Sequence, residues 1–196
     1  MRLFIALEVP GAWCAAAAAQ QQALVAALPS EVRPALRLVR PELMHLTLRF
    51  LGEVDEGGVD SLQAALDGLA PFEVALALER AGTFGPAPRT GVVWLAVASE
   101  PAGELDQLDV LQRLVGQVEL AVRLAGRRGD ARPFSAHLTL ARLARGATAE
   151  ERTAVAEAVR GLDAPLPIPF VARELLLVRS YLEGPAPRYE VLSHHQ

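Results

Sequence analysis

Lysine and asparagine are missing from this 196-residue sequence altogether, so each of its 19 basic side chains is an arginine. A lysine nucleophile is thereby excluded, and with it ligase chemistry that passes an adenylate through lysine. Cysteine occurs once, at Cys14, which rules out an intramolecular disulfide. No apolar run reaches the about 18 residues that a membrane span needs. The blandest run, Ala15 to Ala19, leads straight into Gln20, Gln21 and Gln22. A basic region followed by an apolar one and a small-residue cleavage site is also lacking, so no signal peptide is expected and the cytoplasm is the expected location. Nor is there an excess of positive charge. A formal charge of −4 argues against gripping long nucleic acid by neutralising many phosphates, and favours an enzyme that holds one phosphate and a base.

What the sequence does have is a hydrophobic content of 52% and a mean hydropathy of +0.24, enough for a real core. Its length suits one domain or two small lobes sharing a cleft. It also has a repeat. His-Leu-Thr-Leu occurs at residues 45–48 and again at 137–140, and these two copies hold two of the four histidines. Apolar and β-prone residues with polar ones at every second place read as strands, on which residues i and i+2 share a face. His45 should therefore point with Thr47, and His137 with Thr139, while the leucines enter a core. Strict alternation adds Arg49 to the histidine face and turns Phe50 and Arg142 away from it.

Two such strands brought together set two imidazoles and two hydroxyls around one cavity. With an unperturbed pKa of about 6.5, one imidazole can be neutral while the other is protonated. The neutral one takes a proton from water or a hydroxyl, the charged one gives a proton to a departing oxygen, and each step is worth roughly 10²–10⁴ in rate. This pairing suits in-line displacement at phosphorus, with Thr47 and Thr139 donating to non-bridging oxygens. A metal is not required. The sequence has no His-Glu-x-x-His spacing, and both motifs lack an acidic neighbour on the histidine face, so no metal ligands and no cofactor are expected.

Along the chain, strands are expected at Arg2–Val9, Leu36–Arg40, Leu43–Leu51, Phe72–Leu78, Val92–Ala98, Phe134–Leu143, Ile168–Tyr181 and Tyr189–Leu192. Helices are expected at Ala12–Leu28, Val59–Leu69, Glu104–Leu124 and from Thr148 to about Gly161, the last opened by a capping box between Thr148 and Glu151. Gly, Pro and Thr mark residues 81–91 as a loop. The basic cluster Arg127-Arg128-Gly129-Asp130 could attract a phosphate or simply complement a helix C-terminus. His194 and His195 close the chain, where termini are commonly mobile. The pattern predicts an antiparallel α+β fold.

Pro41 to Val54, Arg132 to Arg142, the opening Arg2-Leu3-Phe4-Ile5-Ala6-Leu7, Gly82-Thr83-Phe84, Val93-Trp94-Leu95 and the closing Ser180-Tyr181-Leu182 with Tyr189-Glu190-Val191-Leu192 resemble segments of the 2H phosphoesterases. Within them the chain is similar to the RNA 2′,3′-cyclic phosphodiesterases, once described as 2′-5′ RNA ligases. The resemblance implies one domain over residues 1–196, built of two pseudo-symmetric lobes. Each lobe would be an antiparallel sheet with helices on its outer face and one motif facing a central cleft. The first and last strands are expected to pair, which puts both chain ends in one lobe. The resemblance also implies that Phe50 sits beside the base or sugar and Arg142 on the phosphate, which a β-bulge would reconcile with the alternation. It implies His45 as proton donor, His137 as acceptor, and a 2′-phosphomonoester product. The expected partner is an RNA 3′ end or nucleotide with a 2′,3′-cyclic phosphate, met by a monomer without membrane contact. Reversible 2′-5′ ligation would use the same groups. A phosphodiesterase for a small cyclic nucleotide or ADP-ribose cyclic phosphate, and a non-catalytic nucleotide-binding protein, are the alternatives. Ala136 and Leu43 depart from common family residues without removing a functional group.

Overall fold

The computed structural model describes residues 1–99, 107–129, 133–183 and 187–196, and in them the apolar runs become strands of two antiparallel sheets. The first sheet has the order β3-β1-β8-β9, formed by β1 (Arg2–Glu8), β3 (His45–Glu53), β8 (Leu175–Tyr181) and β9 (Arg188–His195). The second has the order β2-β6-β5-β4-β7, formed by β2 (Leu36–Leu38), β4 (Val74–Phe84), β5 (Val92–Ser99), β6 (His137–Leu143) and β7 (Phe170–Ala172). Helices α1 (Gly11–Ala27) and α4 (Ala149–Arg160) pack on the second sheet. Helix α2 (Glu56–Asp67) packs on the first, while α3 (Gln107–Leu124) bridges the two, meeting β3 of the first sheet and β4 and β5 of the second. Glu104 to Asp106, expected at the start of α3, lie outside the described residues, as do Arg132 and the turn at Gly184-Pro185. Both chain ends enter the first sheet, but β1 and β9 do not pair, because β8 lies between them.

One core runs through both sheets and all four helices, from Leu3, Ile5 and Leu7 of β1 to Leu138 and Leu140 of β6. β1 is buried on both faces. Leu3, Ile5 and Leu7 enter the main core, while Phe4 and Ala6 form a second cluster with Leu176 and Val178, against which Tyr189 packs. That is why β1 reads as an uninterrupted apolar run. Trp13 on α1 is fully buried and donates its indole N–H to the Ile168 carbonyl at 2.8 Å, locking α1 to the segment before β7. At the start of α4, the Thr148 hydroxyl accepts from the Glu151 amide at 3.2 Å and the Glu151 carboxylate accepts from the Thr148 amide at 2.7 Å. Among the described residues no helix is long and apolar enough to cross a membrane.

Three elements differ from the sequence expectation. β4 continues to Phe84 through the stretch whose composition marks a loop, pairing Ala81–Phe84 with Leu95–Val92. Gly82 is a packing residue there, for a Cβ on it would stand 2.3 Å from the Trp94 ring. The strand expected at Ile168–Tyr181 is two strands in different sheets, broken at Arg173-Glu174. Those two charges leave the strand line for partners, Arg173 reaching Glu73 at 2.9 Å and Glu174 reaching His194 at 3.0 Å.

The third difference is the C-terminal pair, which is not loose. β9 runs through His195, which is 4% exposed, and its Nδ1 donates to the Asp67 carboxylate at 2.7 Å while Ser193 Oγ lies 2.8 Å from Nε2. Asp67 ends α2, so this imidazole ties the last strand to that helix. His195→Ala should therefore cost about 1–2 kcal/mol, the loss of hydrogen bonds one of which has a charged partner. The check is a lower urea midpoint at unchanged m-value; an unmoved midpoint would show that the imidazole pins nothing.

Candidate active site

The candidate site begins with a break in the pairing of β3. Thr47 lies opposite Ala6, Arg49 opposite Ile5 and Phe50 opposite Phe4, so Leu48 is an extra residue without a partner on β1. Cross-strand partners share a face, and one inserted residue exchanges the faces beyond it. Phe50 thus emerges on the side of His45 and Thr47, whereas alternation turns it away. Arg49 leaves that side, correcting the alternation in the other direction. Its Nε stands 2.9 Å from the Glu119 carboxylate on α3, and its Nη2 donates to the Arg128 carbonyl at 2.8 Å.

β6 repeats this at the same place in its motif. Thr139 lies opposite Trp94, Ala141 opposite Val93 and Arg142 opposite Val92, leaving Leu140 as the extra residue. Arg142 accordingly joins His137 and Thr139. The Leu140 carbonyl accepts from the Val39 amide at 2.9 Å and from Gln21 Nε2 at 2.8 Å. The same Gln21 nitrogen donates to the Val39 carbonyl at 2.7 Å, so one buried amide on α1 holds the bulge of β6 against the end of β2.

His45, Thr47, Phe50, His137, Thr139 and Arg142 all line one cleft between the sheets, about 840 Å³ in volume. Both imidazoles are oriented in the same local way. Pro41–Leu43 form a single 3₁₀ turn that brings the Leu43 carbonyl to His45 Nδ1 at 2.8 Å, and the Ser135 carbonyl meets His137 Nδ1 at 2.8 Å. A carbonyl only accepts, so each Nδ1 carries a proton and each Nε2 is left for the cleft.

Aromatic rings to which the sequence pattern gives no role flank these imidazoles. Phe4 stacks on His45 with centroids 4.6 Å apart, Tyr189 meets its edge at 5.3 Å, and Phe84 meets His137 edge-on at 4.8 Å. The signal for Phe4 was present in the unbroken apolar run of β1, which needs a cover on both faces. Burial among these groups lowers the His45 pKa below 6.5; the bond to Leu43 opposes this, while charge on Arg142 and His137 adds to it. His137 is lowered too, first by burial and then by Arg142, against the bond to Ser135.

The basic cluster lies elsewhere. Arg127 pairs with Asp55, and Arg127 and Arg128 line a separate hollow of about 330 Å³ around Arg49, while Asp130 lies outside the described residues. Among the described residues no three His, Cys, Asp or Glu side chains gather as metal ligands.

Residues 14–94 and 104–189 match the family described as LigT like phosphoesterase. An RNA 2′,3′-cyclic phosphodiesterase of Thermus thermophilus is 34% identical over 197 residues, which cover 98% of this chain and 88% of that protein. One of Archaeoglobus fulgidus is 29% identical over 203 residues, covering 98% of each. One of Geobacillus stearothermophilus is 35% identical over 159 residues, 79% of this chain but only 46% of that longer protein. Among solved structures, TT0787 of Thermus thermophilus superposes with TM-score 0.72 at 26% identity, covering 99% of this chain and 96% of that one. The E. coli LigT structure with 3′-AMP shares the fold with TM-score 0.72 at 24% identity, covering 98% and 95%.

Two measurements test this geometry without an assay. Gln21→Leu removes one hydrogen bond from the buried Leu140 carbonyl and one from the half-buried Val39 carbonyl, so the thermal midpoint should fall by about 2–4 °C for each of the roughly 1–3 kcal/mol that the two bonds contribute. In NMR titrations both His45 and His137 should titrate below pH 6.5, and Arg142→Gln should move both upward, since it removes a charge that disfavours each imidazolium. Titrations unmoved by that substitution would separate Arg142 from the two imidazoles.

Proposed function

Because the chain belongs to the LigT like phosphoesterase family, we propose that it hydrolyses the 2′,3′-cyclic phosphate at RNA 3′ ends by two-histidine acid–base catalysis. The observation that carries this reading is the matched pair of bulged strands, which turn two equally oriented imidazoles, two threonines and Arg142 toward one cleft. His137, neutral because burial lowers its pKa, takes a proton from water as the water oxygen attacks phosphorus. The bond from phosphorus to O3′ breaks in line, and protonated His45 gives its proton to O3′, leaving a 2′-phosphomonoester. Bound substrate favours that protonated state, since the anionic diester offsets the burial that disfavours imidazolium.

Thr47 and Thr139 hydroxyls donate to the non-bridging oxygens, and the Arg142 guanidinium balances their charge. Phe50, 47% exposed at the cleft, offers its ring face to the base. With a 5′-hydroxyl in place of water, the same groups run the same displacement: the new P–O5′ bond forms as P–O3′ breaks, leaving a 2′-5′ link. The working unit is residues 1–196 as one two-lobed domain, a cytoplasmic monomer.

The test is incubation with a cyclic-phosphate-ended oligonucleotide and with 2′,3′-cyclic AMP, in EDTA, identifying the phosphate position in the product. Expected are 2′-monophosphates and a bell-shaped kcat/KM with its maximum below pH 6.5, because both free-enzyme pKa values lie below that value. His45→Ala and His137→Ala should each lower the rate by at least about 10²-fold, and the double variant by far less than the product of the two. Full activity in His137→Ala would replace this mechanism by a single-base one. Loss in EDTA restored by a divalent ion would replace it by a metal-dependent one, and turnover of cyclic AMP alone would make the chain a small-nucleotide enzyme.

A further inference from the structure

The cleft gathers positive charge in a chain whose formal charge is −4. Arg2, Arg37, Arg40 and Arg142 line it, and among the described residues no acidic side chain does. A cyclic phosphodiester brings a single negative charge, and Arg142, whose charge acts on both imidazoles, answers it. Of the remaining arginines, Arg37 donates to the Pro34 and Leu36 carbonyls at 2.6 and 3.1 Å, which leaves Arg2 and Arg40 to meet a further phosphate.

Arg2 stands in the most developed of these surroundings. On the first sheet it lies opposite Ser180 of β8, and Ser180 lies opposite Tyr189 of β9. Cross-strand partners share a face, so the three make a polar row across β1, β8 and β9, and all three line the cleft. Tyr189 joins this row to the imidazole pair, since its ring packs on Phe4 at 5.1 Å and against His45 at 5.3 Å. Arg2 is exposed, and among the described residues it has no ion pair or side-chain hydrogen bond. Glu53, opposite it on β3, lies instead 3.6 Å from the Met1 ammonium. A free guanidinium beside two hydroxyls is a donor set for phosphate oxygens, which guanidinium meets with two parallel N–H bonds.

We propose that Arg2, Ser180 and Tyr189 form a second phosphate subsite, which holds the internucleotide phosphate on the 5′ side of the cyclic end. This rests on the phosphodiesterase reading above and sharpens it: an RNA 3′ end is preferred over a mononucleotide because its penultimate phosphate is bound.

The test compares kcat/KM for 2′,3′-cyclic AMP, an adenosine dinucleotide ending in a 2′,3′-cyclic phosphate, and the same dinucleotide with an uncharged methylphosphonate linkage. Wild-type protein should favour the phosphodiester dinucleotide over cyclic AMP by about tenfold or more, as for a charge-assisted bond pair. The methylphosphonate should lose most of that preference. Arg2→Ala and Arg2→Gln should lower the dinucleotide-to-mononucleotide ratio by a similar factor and no longer distinguish the charged linkage from the uncharged one. Equal losses on both substrates, or a methylphosphonate as good as the phosphodiester in wild-type protein, would overturn the subsite and leave the phosphodiesterase reading standing. Wild-type protein inactive on all three would overturn that reading itself, and the subsite with it.

Discussion

Two single-residue bulges, at Leu48 and Leu140, are the constraint on which the site depends. Without them a strand can offer the cleft only every second residue, and each motif would present its histidine, its threonine and then the residue two places on. With them the face changes once before the fifth position, so the side chain five places after each histidine arrives beside it. The two motifs deliver different fifth residues to the same location, an aromatic ring from β3 and a guanidinium from β6. The symmetric strands thereby make an asymmetric cleft, with an apolar side and a charged side around a symmetric pair of imidazoles.

The bulge in β6 shows how such an irregularity is held. An added residue frees a backbone carbonyl, and a buried carbonyl must find a donor. Leu140 finds two, from Val39 of the segment after β2 and from Gln21 of α1. The glutamine run that interrupts the alanines of α1 thus has one member facing inward, 6% exposed, as a structural donor. Local strand geometry, helix packing and the direction of Arg142 are linked through one side-chain amide.

The imidazoles are tuned by packing more than by polar neighbours. Their own backbone supplies each Nδ1 partner two residues upstream, which fixes the tautomer. Phe4, Tyr189 and Phe84 then exclude water from the rings, and exclusion of water disfavours the charged form. This requires β1 to be covered on both faces, which its two apolar clusters achieve. The negative formal charge of the chain and the arginine-lined cleft are compatible because acids lie elsewhere on the surface, where pairs such as Arg127 with Asp55 and Arg173 with Glu73 neutralise them.

By itself the sequence determined the elements whose signals are local: four helices, the capping box at Thr148, the two histidine strands and the pairing of each histidine with a threonine two places on. The identity of the repeat was enough to bring His45 and His137 to one site. Face assignments beyond the threonines belonged to the tertiary structure, since a bulge depends on which partner strand lies alongside and no residue within His-Leu-Thr-Leu announces one. The same holds for the continuation of β4 through Gly82, set by the Trp94 ring from a neighbouring strand, and for the switch of sheets at Arg173-Glu174, where the strand before pairs with β4 and the strand after with β1. His195 reads as a loose terminus and becomes a buried clamp because Asp67, 128 positions earlier, stands where its ring can reach it. Periodicity reports what a residue does within its own element; what it meets across elements is decided only when the chain is packed.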